Sequence, residues 1–309
     1  MSKIIVIGHK NPDTDAVISA VMLSRLLKKE GKEAVAAVAG EVNKETKFIF
    51  DTLKENIPDK KENVEEGESV FMVDHNELAQ SIAEKENVYG VIDHHALSGL
   101  TTDTAIYFRV EPLGSTCTII YKMMKERGIS LSTEEADILL AGIISDTLNL
   151  NSSTTTSEDI DSFYELSEIS KIDADIFAEK MFEAKSDLSG TPAIEVVGGD
   201  TKEYEVQGKK IGIGVCETTS FTYFEENKEE FLKAIEDYKK EKGYEAFFFG
   251  VIDILNGNTH FYPAGEKEEE IVKTKFSGEK KNEYYLLPET TSRKKELVPP
   301  VLEFFNEKH

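Results

Sequence analysis

Four short clusters in this 309-residue chain gather side chains that bind metal ions: His9-Lys10-Asn11-Pro12-Asp13-Thr14-Asp15, Asp74-His75-Asn76-Glu77, Asp93-His94-His95 and Ser145-Asp146-Thr147. Their donors are carboxylates and imidazoles, and four of the six histidines lie in them. An oxygen and nitrogen set without thiolate favours a hard or borderline ion such as Mn²⁺, Mg²⁺ or Co²⁺ over a cysteine-rich structural zinc site. Asp13 and Asp15 follow Pro12 in a loop whose bend can aim both carboxylates at one pocket, with His9 beside them. Asp74 and Asp146 can each bridge or cap an ion, and His94 can complete a shell. This inventory suits two ions bridged by a carboxylate and a water. Such a pair acidifies the water and clamps the oxygens of an in-line phosphoryl displacement. Arg293 and Lys294, with Lys202, can neutralise charge developing on phosphate. The attacking group is then hydroxide, and no serine, cysteine or lysine nucleophile is needed.

Each residue also has a plainer use. An aspartate after a buried strand is often a helix N-cap, a role open to Asp13, Asp15 and Asp146. A histidine at a strand end more often makes a hydrogen bond than a metal bond. Three consecutive cations are more often solvated. Asp93 can orient a histidine rather than bind metal, His75 reads equally well as ligand or structural residue, and the solitary His260 and His309 read as structural. Caps and strand ends account for the clusters singly but poorly as a set, because four of them follow apolar segments.

Those segments are the elements that must position the site. Residues 4–8, 70–73 and 88–92 are short apolar runs of the kind found in buried parallel strands. Ligands of open α/β sheets bind at the carboxyl ends of such strands. Residues 16–29 carry apolar side chains at helical spacing, with Gly31 as the stop. Residues 33–38 read as strand, and 45–55 and 114–127 as helices. Ser132-Thr133-Glu134-Glu135 is a capping-box pattern opening a helix that delivers Asp146 near its end. Strand–helix alternation predicts an α/β domain with a mainly parallel sheet. Small, polar and breaker residues at 185–192 suggest a linker. Beyond it, 203–206, 210–216, 246–255 and 260–263 read as strands and 225–242 as one helix.

The net charge of −23 argues against a nucleic-acid surface, which needs clustered cations. No stretch approaches the roughly 20 apolar residues of a membrane span. Cys117 and Cys216 lack metal-ligand spacing and suggest no disulfide framework. With no signal-peptide pattern, the expected compartment is the cytoplasm.

These residues resemble the DHH phosphoesterase superfamily, whose signature triplet appears here as Asp93-His94-His95. More closely, they resemble family II inorganic pyrophosphatases. The similarity runs through 8–15, 73–77, 91–95, Glu111-Pro112-Leu113-Gly114-Ser115-Thr116, 144–147 and Ser292-Arg293-Lys294-Lys295. The resemblance implies an N-terminal metal-binding catalytic domain (1–187) with a parallel sheet. It also implies a smaller substrate-binding α/β domain (192–309) and an active site in the cleft between them. It implies that His9, Asp13 and Asp74 hold one Mn²⁺ or Co²⁺, and that Asp15, Asp74, His94 and Asp146 hold a second. By the same resemblance, His95, Lys202, Arg293 and Lys294 contact pyrophosphate, a further Mg²⁺ arrives with substrate, and the protein is a homodimer through its N-terminal domain. Two departures stand out. The family's Lys-Ser-Pro-Thr is Asn151-Ser152-Ser153-Thr154 here, and its Thr-Asp-Ile is Ile252-Asp253-Ile254. Two rival readings are a DHH phosphodiesterase acting on short oligonucleotides or cyclic dinucleotides, and a non-catalytic metal or phosphate binder. The phosphodiesterase relatives carry a Gly-Gly-Gly-His type segment, whereas Gly198-Gly199 here run into Asp200.

Overall fold

The first half of the chain holds five parallel strands, the four that its sequence pattern predicts and a fifth at the sheet edge. A computed structural model describes residues 3–307 and divides the chain into two compact units, one up to Ala184 and one from Lys185 onward. In the first unit the order is β1 (Lys3–Ile7), α1 (Thr14–Lys29), β2 (Ala34–Ala37), α2 (Lys44–Leu53), β3 (Glu68–Val73), β4 (Val88–Asp93), β5 (Tyr107–Val110), α3 (Thr116–Glu126), α4 (Thr133–Thr147), α5 (Ser157–Ile169) and α6 (Ala174–Ser186). The sheet order is β2-β1-β3-β4-β5, parallel at every pairing. Ile4 to Ile7, Val70 to Val73 and Val91 to Ile92 are buried, so a strand sandwiched between layers needs a continuous apolar run rather than alternation. Helix α1 is buried along most of its length and packs on the sheet, α3 and α4. Ser132 and Glu135 form the expected capping box at α4, a device worth about 1 kcal/mol.

The second unit runs α7 (Ala193–Gly199), β6 (Thr201–Val206), β7 (Lys209–Thr218), α8 (Thr222–Glu226), α9 (Lys228–Lys242), β8 (Ala246–Asp253), β9 (Asn258–Pro263), α10 (Glu266–Lys275), β10 (Glu279–Lys281), β11 (Tyr284–Leu287) and α11 (Val298–Glu307). Its six strands lie in the order β10-β11-β9-β8-β7-β6, with only β7 and β8 parallel. The single helix expected over 225–242 is two helices. Asn227 breaks it, because its side-chain amide and backbone N–H both donate to Tyr223 O and end the first helix there. No helix among the described residues is long and apolar enough to cross a membrane. Both cysteines are free thiols.

Candidate metal centre

The carboxyl ends of β1, β3 and β4 and the last turn of α4 bring the sequence clusters together. His9 follows β1, Asp74 follows β3, His94 and His95 follow β4, and Asp146 sits in the last turn of α4. Two groups of donor atoms lie within 4.8 Å of one another: His9, Asp13 and Asp74; and Asp15, Asp74, His94 and Asp146. Asp74 belongs to both. Its Oδ2 is 3.5 Å from His9 Nε2, which is also 3.5 Å from Asp13 Oδ2. Its Oδ1 is 3.3 Å from His94 Nε2, which is equally 3.3 Å from Asp146 Oδ2.

These separations are long for hydrogen bonds. Asp74 Oδ2 and His94 Nε2 are buried and make none of ordinary geometry. Donor atoms about 2.1 Å from a common ion stand roughly 3 Å apart, so the spacing suits ligands converging on ions. The donor set of carboxylates and imidazoles therefore fits divalent cations of the hard or borderline kind.

Several of the plainer uses hold at the same time as the ligand geometry. Asp13 is the N-cap of α1, accepting the Ala16 N–H at Oδ1 and leaving Oδ2 toward His9. Asp93, fully buried, accepts from the His94 and His95 amides and from His95 Nδ1 at Oδ1, and from Asn76 at Oδ2. Both its oxygens are thus committed to orienting neighbours. A third group of donors joins His95 to Asp74 and His94. However, His95 Nδ1 is bonded to Asp93 at 2.9 Å and lies 3.7 Å from Asp74, so that nitrogen serves orientation. His75 is buried and uses Nδ1 on Val73 O. His260 lies in the second unit, stacked between Phe221 and Tyr284 at 3.6 and 3.8 Å. His309 lies outside the described residues.

Three features were not visible in the sequence. Asp74 adopts a left-handed backbone (φ 61°), a strain of about 1–3 kcal/mol of the kind that collects at functional sites. His94 Nδ1 sits 2.9 Å from Leu113 O, and since a carbonyl only accepts, Nδ1 carries the hydrogen and Nε2 faces the carboxylates. Buried Glu45 accepts the hydroxyls of Thr14 and Ser145, tying the Asp13–Asp15 loop to the end of α4.

The three cations lie in the second unit. Lys202 is exposed on β6, and Arg293 and Lys294 lie in a wide helical turn before α11. Arg293 bonds both the carbonyl and the carboxylate of Asp200, two residues before Lys202.

Within the donor groups, protons on the imidazoles offset part of the carboxylate charge. Burial lowers the His9 pKa, but Asp13 and Asp74 outweigh it and raise it to about 10. Burial likewise lowers His94, while Asp74 and Asp15 carry it up to about 10. Burial and the Asp74 charge push Asp15 up to about 7. Burial opposes the Asp74 charge, yet His9, His94 and His95 hold its carboxyl well below the usual range. The Asp93 carboxylate raises His95. A metal needs neutral imidazoles, so loading must expel these protons. With both imidazole pKa values raised, the protons are held throughout the neutral range and Mn²⁺ affinity should rise with pH. Calorimetric titration in buffers of different ionisation enthalpy should show protons released at pH 7. Equal heats in all buffers would contradict the displacement.

The chain also matches known proteins. The family model described as "DHH family, N-terminal domain" matches residues 3–143, and that of the DHHA2 domain matches 179–304. A Deinococcus radiodurans protein named "probable manganese-dependent inorganic pyrophosphatase" is 38% identical over 307 residues, covering 97% of this chain and 98% of its own. A Streptococcus agalactiae protein of the same name is 36% identical over 311 residues, covering 99% and 100%. Among solved structures, a Methanococcus jannaschii chain assigned to the family II inorganic pyrophosphatases superposes with a TM-score of 0.63 at 32% identity, covering 98% of this chain and 99% of that one.

Proposed function

The chain belongs to the family of manganese-dependent inorganic pyrophosphatases, and from that premise we propose that it hydrolyses inorganic pyrophosphate to two phosphates. The observation that carries the reading is the position of Asp74 between two groups of donors, as a two-ion site requires. His9, Asp13 and Asp74 hold one Mn²⁺ or Co²⁺, and Asp15, Asp74, His94 and Asp146 hold the other; a Mg²⁺ accompanies the substrate. When bound, the ions supply an acidified water and neutralise phosphate oxygens. The protein's own part is to fix the ligands, with Asp93 aiming His95 and Leu113 O fixing the His94 tautomer. His95, Lys202, Arg293 and Lys294 bind the phosphates of the substrate. Residues 1–187 form the metal-binding catalytic domain and 192–309 the substrate-binding domain.

The same reading makes the protein a cytoplasmic homodimer joined through the N-terminal domain, without a nucleic-acid partner. Supporting the dimer, β5 is an edge strand whose Tyr107 and Phe108 are exposed, a surface that proteins seldom leave uncovered. Phosphate release from pyrophosphate with Mn²⁺ tests the activity. A chain that binds the ions yet releases no phosphate is a metal-binding protein instead.

The adjacent histidines should divide their work. His94→Gln removes a nitrogen that faces two carboxylates and should weaken Mn²⁺ binding at least tenfold. His95→Gln removes a half-exposed ring oriented by Asp93 and should leave Mn²⁺ binding within about threefold while lowering turnover about 10²-fold, the scale of one lost transition-state donor. Equal loss of metal in both variants would mean that the pair acts as one ligand unit.

A further inference from the structure

The segment Glu111-Pro112-Leu113-Gly114-Ser115-Thr116 carries no candidate ligand, and the proposed reaction makes no use of its hydroxyls. Its polar groups nevertheless converge on one of the two donor groups. Ser115 Oγ donates to Asp15 Oδ1 at 2.7 Å. The amides of Thr116 and Cys117 donate to Asp15 at 2.6 and 3.1 Å. Thr116 Oγ1 donates to Asp74 Oδ1 at 2.9 Å, and this is the Asp74 oxygen nearest His94. Leu113 O takes the His94 Nδ1 hydrogen. Three of the four residues in the Asp15–Asp74–His94–Asp146 group are therefore gripped by residues 113–117. The other group is treated differently. Asp74 Oδ2, on the His9 side, receives no hydrogen bond, and Asp13 is held by the amide of Ala16 in its own helix.

The segment is braced from behind. Buried Asp159 accepts the Gly114 amide and the Thr118 hydroxyl while closing the capping box of α5 with Thr156. A Cβ on Gly114 would lie 2.9 Å from Asp159 Oδ2 and 3.0 Å from Thr147 Cγ2, so a side chain there would push the segment off its support. Outer donors of this kind fix the direction of a ligand carboxylate and tune its charge.

We infer that residues 113–117 form a positioning cradle that sets the affinity of the Asp15–Asp74–His94–Asp146 site and leaves the His9–Asp13–Asp74 site to its own ligands. The inference rests on the two-ion reading above. Ser115 and Thr116 are positioning residues, since they touch ligand carboxylates rather than substrate. The two halves of one centre thereby have separately adjustable strength.

The test is titration of metal-free protein with Mn²⁺ alone, followed by calorimetry and electron paramagnetic resonance. Thr116→Val keeps the shape and the backbone amide but removes the hydroxyl. It should weaken one site about 10–100-fold and leave the other within about threefold. The spin-coupled signal of a Mn²⁺ pair should then appear only at higher Mn²⁺, with the six-line signal of an isolated ion before it. Thr116→Ser should restore the wild-type titration. In a His94→Gln background, Thr116→Val should have no further effect on the remaining site. Ser115→Ala provides an independent variant should Thr116→Val fail to fold. A wild-type protein that binds a single ion overturns the two-ion reading. Two ions in wild type, with both affinities unchanged in Thr116→Val and Ser115→Ala, overturn the cradle. Equal weakening of both sites overturns its selectivity.

Discussion

Asp74→Asn is expected to lower both bound Mn²⁺ and turnover further than any other single substitution in the centre. Changes to groups that merely support metal ligands cost about 10–100-fold in affinity or activity. Removing a charge that faces two donor groups should exceed that, with turnover falling by more than about 10³-fold. Asparagine is the informative replacement because Asp74 sits at φ 61°, a conformation that asparagine tolerates and alanine does not. Its side-chain oxygen can still accept from Thr116, so the local fold should survive while the shared negative charge is lost. By contrast, Asp13→Asn removes an oxygen from one group only and should release one ion of the two. Metal content per chain after gel filtration, alongside a melting curve, separates these outcomes. A wild-type content near one ion, unchanged in Asp74→Asn, would end the two-ion reading.

The strands and their ligand-bearing ends were legible because a buried parallel strand needs an unbroken apolar run, and a site at its tip needs polar residues directly after it. Ile4 to Ile7 followed by His9, and Val70 to Val73 followed by Asp74, show both halves of that signal. Strand β5 gave no such signal. Tyr107-Phe108-Arg109-Val110 is an edge strand with two exposed side chains, and its arginine is tied to Glu111 and Glu126. Helix α5 was equally hidden, since only a few of its side chains are buried and its first turn is acidic. The supporting shell was illegible for a different reason. Ser115 meets Asp15 across 100 residues of chain, and Glu45 meets Ser145 across another 100. Such pairings leave no local spacing to read; only the fold that packs α1 on α3 and α2 on α4 brings them together. The left-handed backbone of Asp74 likewise leaves no mark in the local sequence.

Substrate choice gives the second large effect: phosphate release from pyrophosphate should exceed release from any dinucleotide by at least about 10³-fold, roughly a 4 kcal/mol difference in barrier. Pyrophosphate is small and densely charged and offers no base or sugar to hold. Recognition must therefore come from metals and cations, the role proposed above for His95, Lys202, Arg293 and Lys294. A dinucleotide site gains much of its grip by stacking bases on aromatic rings, worth about 1–3 kcal/mol per base. Among the described residues, the second unit holds no fully exposed aromatic ring to serve as such a platform. None of the exposed large apolar side chains among the described residues lies beyond Ala184. In its ring stack of Phe221, His260 and Tyr284, the space between the two outer rings is taken by His260. Nor do its adjacent glycines make a phosphate loop. Gly198 lies in α7, where a Cβ would come within 2.8 Å of the Tyr238 ring, so it is small in order to pack α7 against α9. Initial rates on pyrophosphate and on a linear and a cyclic dinucleotide, all with Mn²⁺ and Mg²⁺ present, decide the matter. Faster turnover of either dinucleotide would overturn the assignment. Comparable rates would mean that the cations of the second unit do not discriminate, and that the metals alone carry recognition.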